Sequence, residues 1–162
     1  MKFLVLIATS ALLITDLFAQ DPGMEPIGSL GVELFYATND DVELAGDQAQ
    51  EVTKDQVEAL KAIKELSFSH YRRLGGDRPT ILRGYESWAT PLKPSKEILV
   101  SFQPIKREGP GKMQMVLEYW QSKRKVFSTN PVLTKGKSLY FLGPEWRKGR
   151  LILAVKILNL KD

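Results

Sequence analysis

The chain offers chemistry one histidine, no cysteine and nineteen carboxylates. His70 lies in the segment Ser67-Phe68-Ser69-His70-Tyr71-Arg72. A Ser-His-Asp triad would need it as a base beside an orienting carboxylate, yet no Gly-x-Ser-x-Gly elbow accompanies any serine. At a period of two, Ser69 and Tyr71 face one side while Phe68, His70 and Arg72 face the other, which describes a histidine on a sheet surface. One histidine without cysteines falls short of the usual transition-metal ligand set. The absence of cysteine also excludes thiol nucleophiles, Cys-ligated zinc and iron–sulfur centres.

Paired carboxylates are the other route to hydrolysis, and a glycosidase needs two of them about 5–10 Å apart in a groove. Beyond Leu66 the acids are Asp77, Glu86, Glu97, Glu108, Glu118, Glu145 and Asp162. Glu86 is near Tyr85 and Trp88, and Glu118 is followed by Tyr119 and Trp120, which is suitable company for a sugar. Polar-face glutamates flanked by core aromatics produce the same pattern. Asn39, Asp40, Asp41, Glu43 and Asp47 could offer oxygens to calcium, but they match no EF-hand loop. No Walker or dinucleotide fingerprint exists, and Gly75-Gly76 reads as a turn. The sequence therefore assigns no catalytic residue, no cofactor and no metal.

Charge is the most informative feature. From Gln20 to Leu66, eleven acids stand against three lysines, net −8; from Ser67 to Asp162, nineteen bases stand against seven acids, net +12. Such asymmetry predicts a polarised surface. Arg72, Arg73, Arg78 and Arg83 form one basic cluster, Lys123, Arg124 and Lys125 sit at a hairpin tip, and Arg147, Lys148 and Arg150 occupy the last loop. Tips and loops are where binding residues concentrate. The expected contact set is Lys123, Arg124, Arg147, Lys148 and Arg150, with Trp146 as an aromatic anchor. Packing of the acidic part against the basic part would cancel this field.

The elements that must position these residues follow from periodicity. Val32–Tyr36 reads as a short strand, and 42–51 as loop. Thr53 and Gln56 form a capping box, with Val52 stapled onto Val57. Val57, Leu60, Ile63 and Leu66 then form an apolar stripe, with Ala59 and Ala62 beside it and Lys54, Glu58, Lys61 and Glu65 outside. From Phe68 the period becomes two: Ile98, Val100 and Phe102; then Met113, Met115, Leu117 and Tyr119; then Lys125–Thr129, Ser138–Leu142 and Arg150–Leu160. Gly109-Pro110-Gly111, Ser122-Lys123, Asn130-Pro131, Lys135-Gly136-Lys137 and a Gly143-to-Gly149 loop punctuate them. The expected fold is mainly β (α+β): an antiparallel β-sandwich or partial barrel with one packed amphipathic helix. Leu151–Leu158 is apolar on both faces except at Lys156, so it should be central or covered by the helix. Ahead of this single domain (20–162), residues 1–19 carry Lys2, an apolar run from Phe3 to Leu13 and a short exit to Ala19, the pattern of a cleavable signal peptide. Asp16 cuts the run below the length of a membrane span.

Three stretches together resemble a group of small exported bacterial proteins. These are Val32–Asp40, ending in Ala-Thr-Asn-Asp; Leu66–Leu74, reading Leu-Ser-Phe-Ser-His-Tyr-Arg-Arg-Leu; and Leu142–Ile157, with its Gly-Pro loop and Gly-Arg-Leu-Ile-Leu-Ala-Val-Lys-Ile run. The group shares a helix, a Phe-x-x-Tyr-Arg-like strand and a β-rich C-terminal half. The resemblance spans nearly the whole mature chain and implies export and architecture, without implying an activity or a site residue. Together with the charge pattern it predicts a non-catalytic binding or structural module, periplasmic or extracellular in a bacterium. Its partner would be an envelope protein, an anionic lipid or an anionic glycan; export disfavours nucleic acid, and no membrane span remains once the signal is cleaved. The alternatives are a small glycan hydrolase using Glu86 or Glu118, and an inhibitor or envelope-assembly module that lends a sheet edge to a partner strand.

Overall fold

A computed structural model describes residues 21–161; the predicted leader lies outside the described residues. Ten strands form two antiparallel five-stranded sheets packed face to face. The first sheet contains β1 (Pro26–Thr38), β2 (His70–Asp77), β3 (Thr80–Leu82), β9 (Leu139–Trp146) and β10 (Gly149–Leu160), in the order β2-β1-β10-β9, with β3 also on β1. The second contains β4 (Ser87–Ala89), β5 (Ile98–Gly109), β6 (Lys112–Gln121), β7 (Arg124–Thr129) and β8 (Val132–Thr134), in the order β4-β5-β6-β7, with β8 also on β6. Alternate residues of the facing strands, including Leu30, Val32, Leu34, Leu153 and Val155 against Val100, Phe102, Met115 and Leu117, make one dry core. Asn130-Pro131 splits an edge into β7 and β8, both of which stay paired to β6.

Strand β10 is central, as its two apolar faces require. Its inner face meets the second sheet, while Ile152 and Ala154 on its outer face meet Leu60 and Leu66. Leu60 belongs to the helix α1 (Lys54–Lys61), whose capping box is complete: Gln56 N donates to Thr53 Oγ1 at 3.4 Å and Thr53 N to Gln56 Oε1 at 3.2 Å. The helix is shorter than the stripe suggested. Residues spaced by three drift about 60° per step around an α-helix, so Val57, Leu60, Ile63 and Leu66 cannot share one buried face. The chain leaves the helix after Lys61, exposes Ile63, and seats Leu66 through a 3₁₀ turn at Lys64–Leu66.

Three other expectations are corrected. Strand β1 spans thirteen residues rather than five, because it pairs with three strands that lie far away in sequence. The 42–51 loop holds a 3₁₀ turn at Val42–Ala45, and Gln50 exchanges two backbone bonds of 2.8 Å with Arg73. Gly75-Gly76 is no turn: both lie within β2, where a side chain on Gly75 would meet the Pro91 carbonyl oxygen at 2.2 Å.

A stack of rings, Tyr119 on Phe127 (5.4 Å) and Phe127 on Phe141 (5.6 Å), joins the two sheets at one side. The Tyr119 hydroxyl is buried without a hydrogen-bond partner, and burial pushes its phenol well above the usual range. Tyr119→Phe is therefore expected to raise stability by about 1 kcal/mol. A higher urea midpoint at unchanged slope would show it; a drop of similar size would mean that the hydroxyl is satisfied.

Candidate functional site

Two β-hairpins bring the basic residues to one end of the sandwich. The β9–β10 hairpin turns at Arg147-Lys148 (φ 47° and 61°), and the β6–β7 hairpin at Ser122-Lys123 (φ 47° and 65°). Two-residue turns with both φ positive match the twist of the strands they join. Ser122 N donates to the Glu97 carbonyl at 2.8 Å, and Glu97 lines the same cleft of about 610 Å³ as Trp146 and Arg147. The two tips thus flank the loop that precedes β5. Lys96, exposed on that loop, joins them; it was missed because no strand signal or local cluster marks it.

The β9–β10 turn is fixed from beneath by β1. Tyr36 Oη donates to the Arg147 carbonyl at 2.7 Å, and Thr38 Oγ1 to the Lys148 carbonyl at 3.2 Å. Both donors are buried. Trp146 packs edge-on against Tyr36 with ring centroids 5.7 Å apart, and the Arg147 guanidinium lies over the Trp146 ring, 4.2 Å from its centroid. Trp146 and Arg147 form a ridge between the 610 Å³ cleft and a second cleft of about 590 Å³, which Lys148, Arg150, Asp40 and Glu145 also line. The predicted Gly143-to-Gly149 loop shrinks to these two turn residues. β9 continues through Gly143-Pro144 across a register shift, where Arg150 satisfies the Gly143 carbonyl through Nε (3.0 Å) and Nη2 (2.8 Å). Pro144 sits on an edge strand, where its missing N–H costs no ladder bond.

The six expected contact residues divide accordingly. Lys123, Arg124, Arg147 and Lys148 are exposed at the two tips, Trp146 is the half-buried ridge between the clefts, and Arg150 is half-buried and engaged with its own strand pair.

The other basic cluster has a different fate. Arg72 pairs with Glu43 (3.8 Å), Arg73 with Glu33 (3.0 Å) and Arg83 with Glu25 (2.7 Å). Each partner belongs to the acidic N-terminal segment, so three of the four arginines are neutralised there, whereas Arg78 has no ion-pair partner among the described residues. Among the described residues, no carboxylate stands within ion-pair distance of Lys123, Arg124, Arg147, Lys148 or Arg150.

Several of the remaining candidates have structural partners. Asn39 Oδ1 accepts from Ser69 N and Oγ, and Asp41 caps the Val42 turn. His70 is exposed at the start of β2. Asp77 gathers Arg78 N, Thr90 N and Lys93 Nζ; burial opposes its ionisation, and these bonds outweigh burial, holding its carboxyl below the ordinary range. Glu86 is exposed. Glu118 accepts from Lys125 Nζ (2.9 Å), Ser128 Oγ (3.4 Å) and Trp120 Nε1 (3.1 Å). The Lys125 ammonium holds the Glu118 carboxyl below its usual range, which is opposite to what a general acid needs.

Compared with protein-family models, curated proteins and solved structures, the chain matches none.

Proposed function

We propose that the chain is an exported, non-catalytic binding module whose basic end contacts an anionic partner. The observation that carries this reading is the gathering of four exposed, unpaired cations on two hairpin tips that flank one cleft. Arg72, Arg73 and Arg83 pair with the acidic N-terminal segment and Lys125 pairs with Glu118, while Lys123, Arg124, Arg147 and Lys148 have no carboxylate within ion-pair distance among the described residues. The fixed turn supports it, since a rigid scaffold presenting exposed cations binds an anion without ordering a loop first. Export rests on the leader pattern of residues 1–19. The sheet-edge reading has less support on the first sheet, because Gln50 bridges the β2 edge at Arg73 and Pro144 with a bulge interrupts β9, two ways in which edges are closed to a partner strand.

The test is a salt titration of residues 20–162 against phosphatidylglycerol vesicles, phosphatidylcholine vesicles, lipopolysaccharide and a polyuronate. Binding to at least one polyanion should weaken as ionic strength rises, with phosphatidylcholine inert. The quadruple variant Lys123→Gln, Arg124→Gln, Arg147→Gln, Lys148→Gln should bind about tenfold more weakly, with a flatter salt dependence. Undiminished binding by a folded quadruple variant would sink the assignment.

A further inference from the structure

Among the described residues, no helix lies over the outer face of the second sheet, unlike that of the first. Its register sets Trp88, Ser101, Glu118 and Ser128 side by side in one row across β4, β5, β6 and β7, with Leu99, Trp120 and Lys125 in the next. Their strand neighbours Val100, Phe102, Leu117 and Tyr119 point into the core, so both rows lie on the outer face, where Ser101 is itself buried and Glu118 and Leu99 are half-buried. Trp88 is 44% exposed and Trp120 half-buried. Trp88 and Trp120 are 5.9 Å apart at their centroids and tilted by 52°, and Lys125 Nζ lies 5.7 Å from the Trp120 centroid.

Around the indoles the polar groups are held in place. Glu118 Oε1 takes Lys125 and Ser128, whereas Oε2 takes only Trp120 Nε1. A carboxylate has about four acceptor positions and an ammonium three donors, so Oε2 keeps one acceptor free and Lys125 keeps two donors.

We infer that this face is a carbohydrate platform, binding a soluble oligosaccharide whose rings stack on Trp88 and Trp120 while its hydroxyls bond Glu118 and Lys125. Stacking follows from the negative face of the indole, which attracts the weakly positive C–H face of a pyranose. A sugar alternates such apolar faces with hydroxyl edges, and this surface alternates rings with charged groups in the same way. An aliphatic lipid or a protein core would instead want a continuous apolar patch, and Glu118, Lys125 and Ser128 interrupt this one. The 52° tilt selects the form of the ligand: coplanar rings suit a flat crystalline polysaccharide, whereas tilted ones follow a chain that twists from unit to unit. This site adjoins the β6–β7 tip of the basic end through Lys125, but it takes a neutral ligand by stacking and so does not rest on the anionic-partner reading.

Calorimetry and tryptophan fluorescence with neutral hexasaccharides of β-1,4-linked glucose, N-acetylglucosamine and mannose test the proposal. At least one should bind with a Kd of about 0.1–1 mM, insensitively to salt, unlike the basic end. Trp88→Ala and Trp120→Ala should each weaken it about tenfold, and Glu118→Gln should weaken it without moving the circular dichroism spectrum. Trp88→Phe, which keeps a ring on an exposed edge strand, covers the case in which the alanine variant misfolds and should retain part of the affinity. No binding of any of the three up to about 10 mM, or undiminished binding in both folded tryptophan variants, would overturn it.

Discussion

Gly149→Ala is expected to cost about 3 kcal/mol of stability and to weaken polyanion binding in the population that still folds. A β-carbon at this position would stand 2.4 Å from Tyr36 Cε2 and 2.5 Å from the Ala37 carbonyl oxygen. Neither can yield cheaply. Tyr36 is fully buried, bonded through its hydroxyl to the Arg147 carbonyl and packed against Trp146, while the Ala37 carbonyl belongs to a strand held on both sides. Relief would push β10 away from β1 just where the basic hairpin is anchored. Gly136→Ala is the matched control: that residue has φ +77° with nothing within 4 Å of the added carbon, so only local backbone strain of about 1 kcal/mol applies. Urea denaturation of both variants reads the difference. Equal losses would show that close approach at Gly149 does not set the position of the hairpin.

What the sequence made legible was local. The capping box, the period-two runs and the turns at Gly109–Gly111 and Ser122-Lys123 depend on residues within a few positions of one another, and each appears in the fold. The helix end is not legible because four apolar residues at a spacing of three read as one stripe, although α-helical geometry carries such a stripe around the cylinder. Gly75-Gly76 and Gly143-Pro144 were misread because a glycine needed for close packing looks the same in sequence as one needed for a turn. The length of β1 was hidden because its partners β2, β3 and β10 begin dozens of residues later.

The same limit governs the basic surface. The expected contact residues could be named from hairpin tips, but which arginines were already spent could not. Glu33 and Arg73 are 40 residues apart, and Glu25 and Arg83 are 58, so only the β1 pairings reveal their neutralisation. Likewise, Glu118 and its aromatic neighbours were visible as company for a sugar. Their arrangement as two rows on an open sheet face required the register of β4 through β7.

The two turns carry a stability–function conflict that mutation can expose. Both place residues with side chains in the left-handed region, at Ser122-Lys123 and at Arg147-Lys148, where each non-glycine residue costs about 1–2 kcal/mol and where Asn-Gly is the favoured pair. Ser122→Asn with Lys123→Gly is expected to raise stability by about 1 kcal/mol, after allowance for the greater freedom that glycine gives the unfolded chain. It should also weaken polyanion binding about threefold through loss of one charge. The equivalent change at Arg147-Lys148 should not stabilise. There the strain relief is offset by loss of the Arg147 contact with the Trp146 ring and of its long hydrogen bonds to the Leu44 and Ala45 carbonyls, a cation–π contact of this kind being worth about 0.5–1 kcal/mol. Binding should fall further, since two cations leave at once. Thermal melts and vesicle or polyuronate titrations of the two variants separate the ideas. If both gain stability with binding intact, the cations at the tips are incidental to recognition; if the first gains and both bind more weakly, strained cationic turns are held against the folding preference because the partner needs their charge.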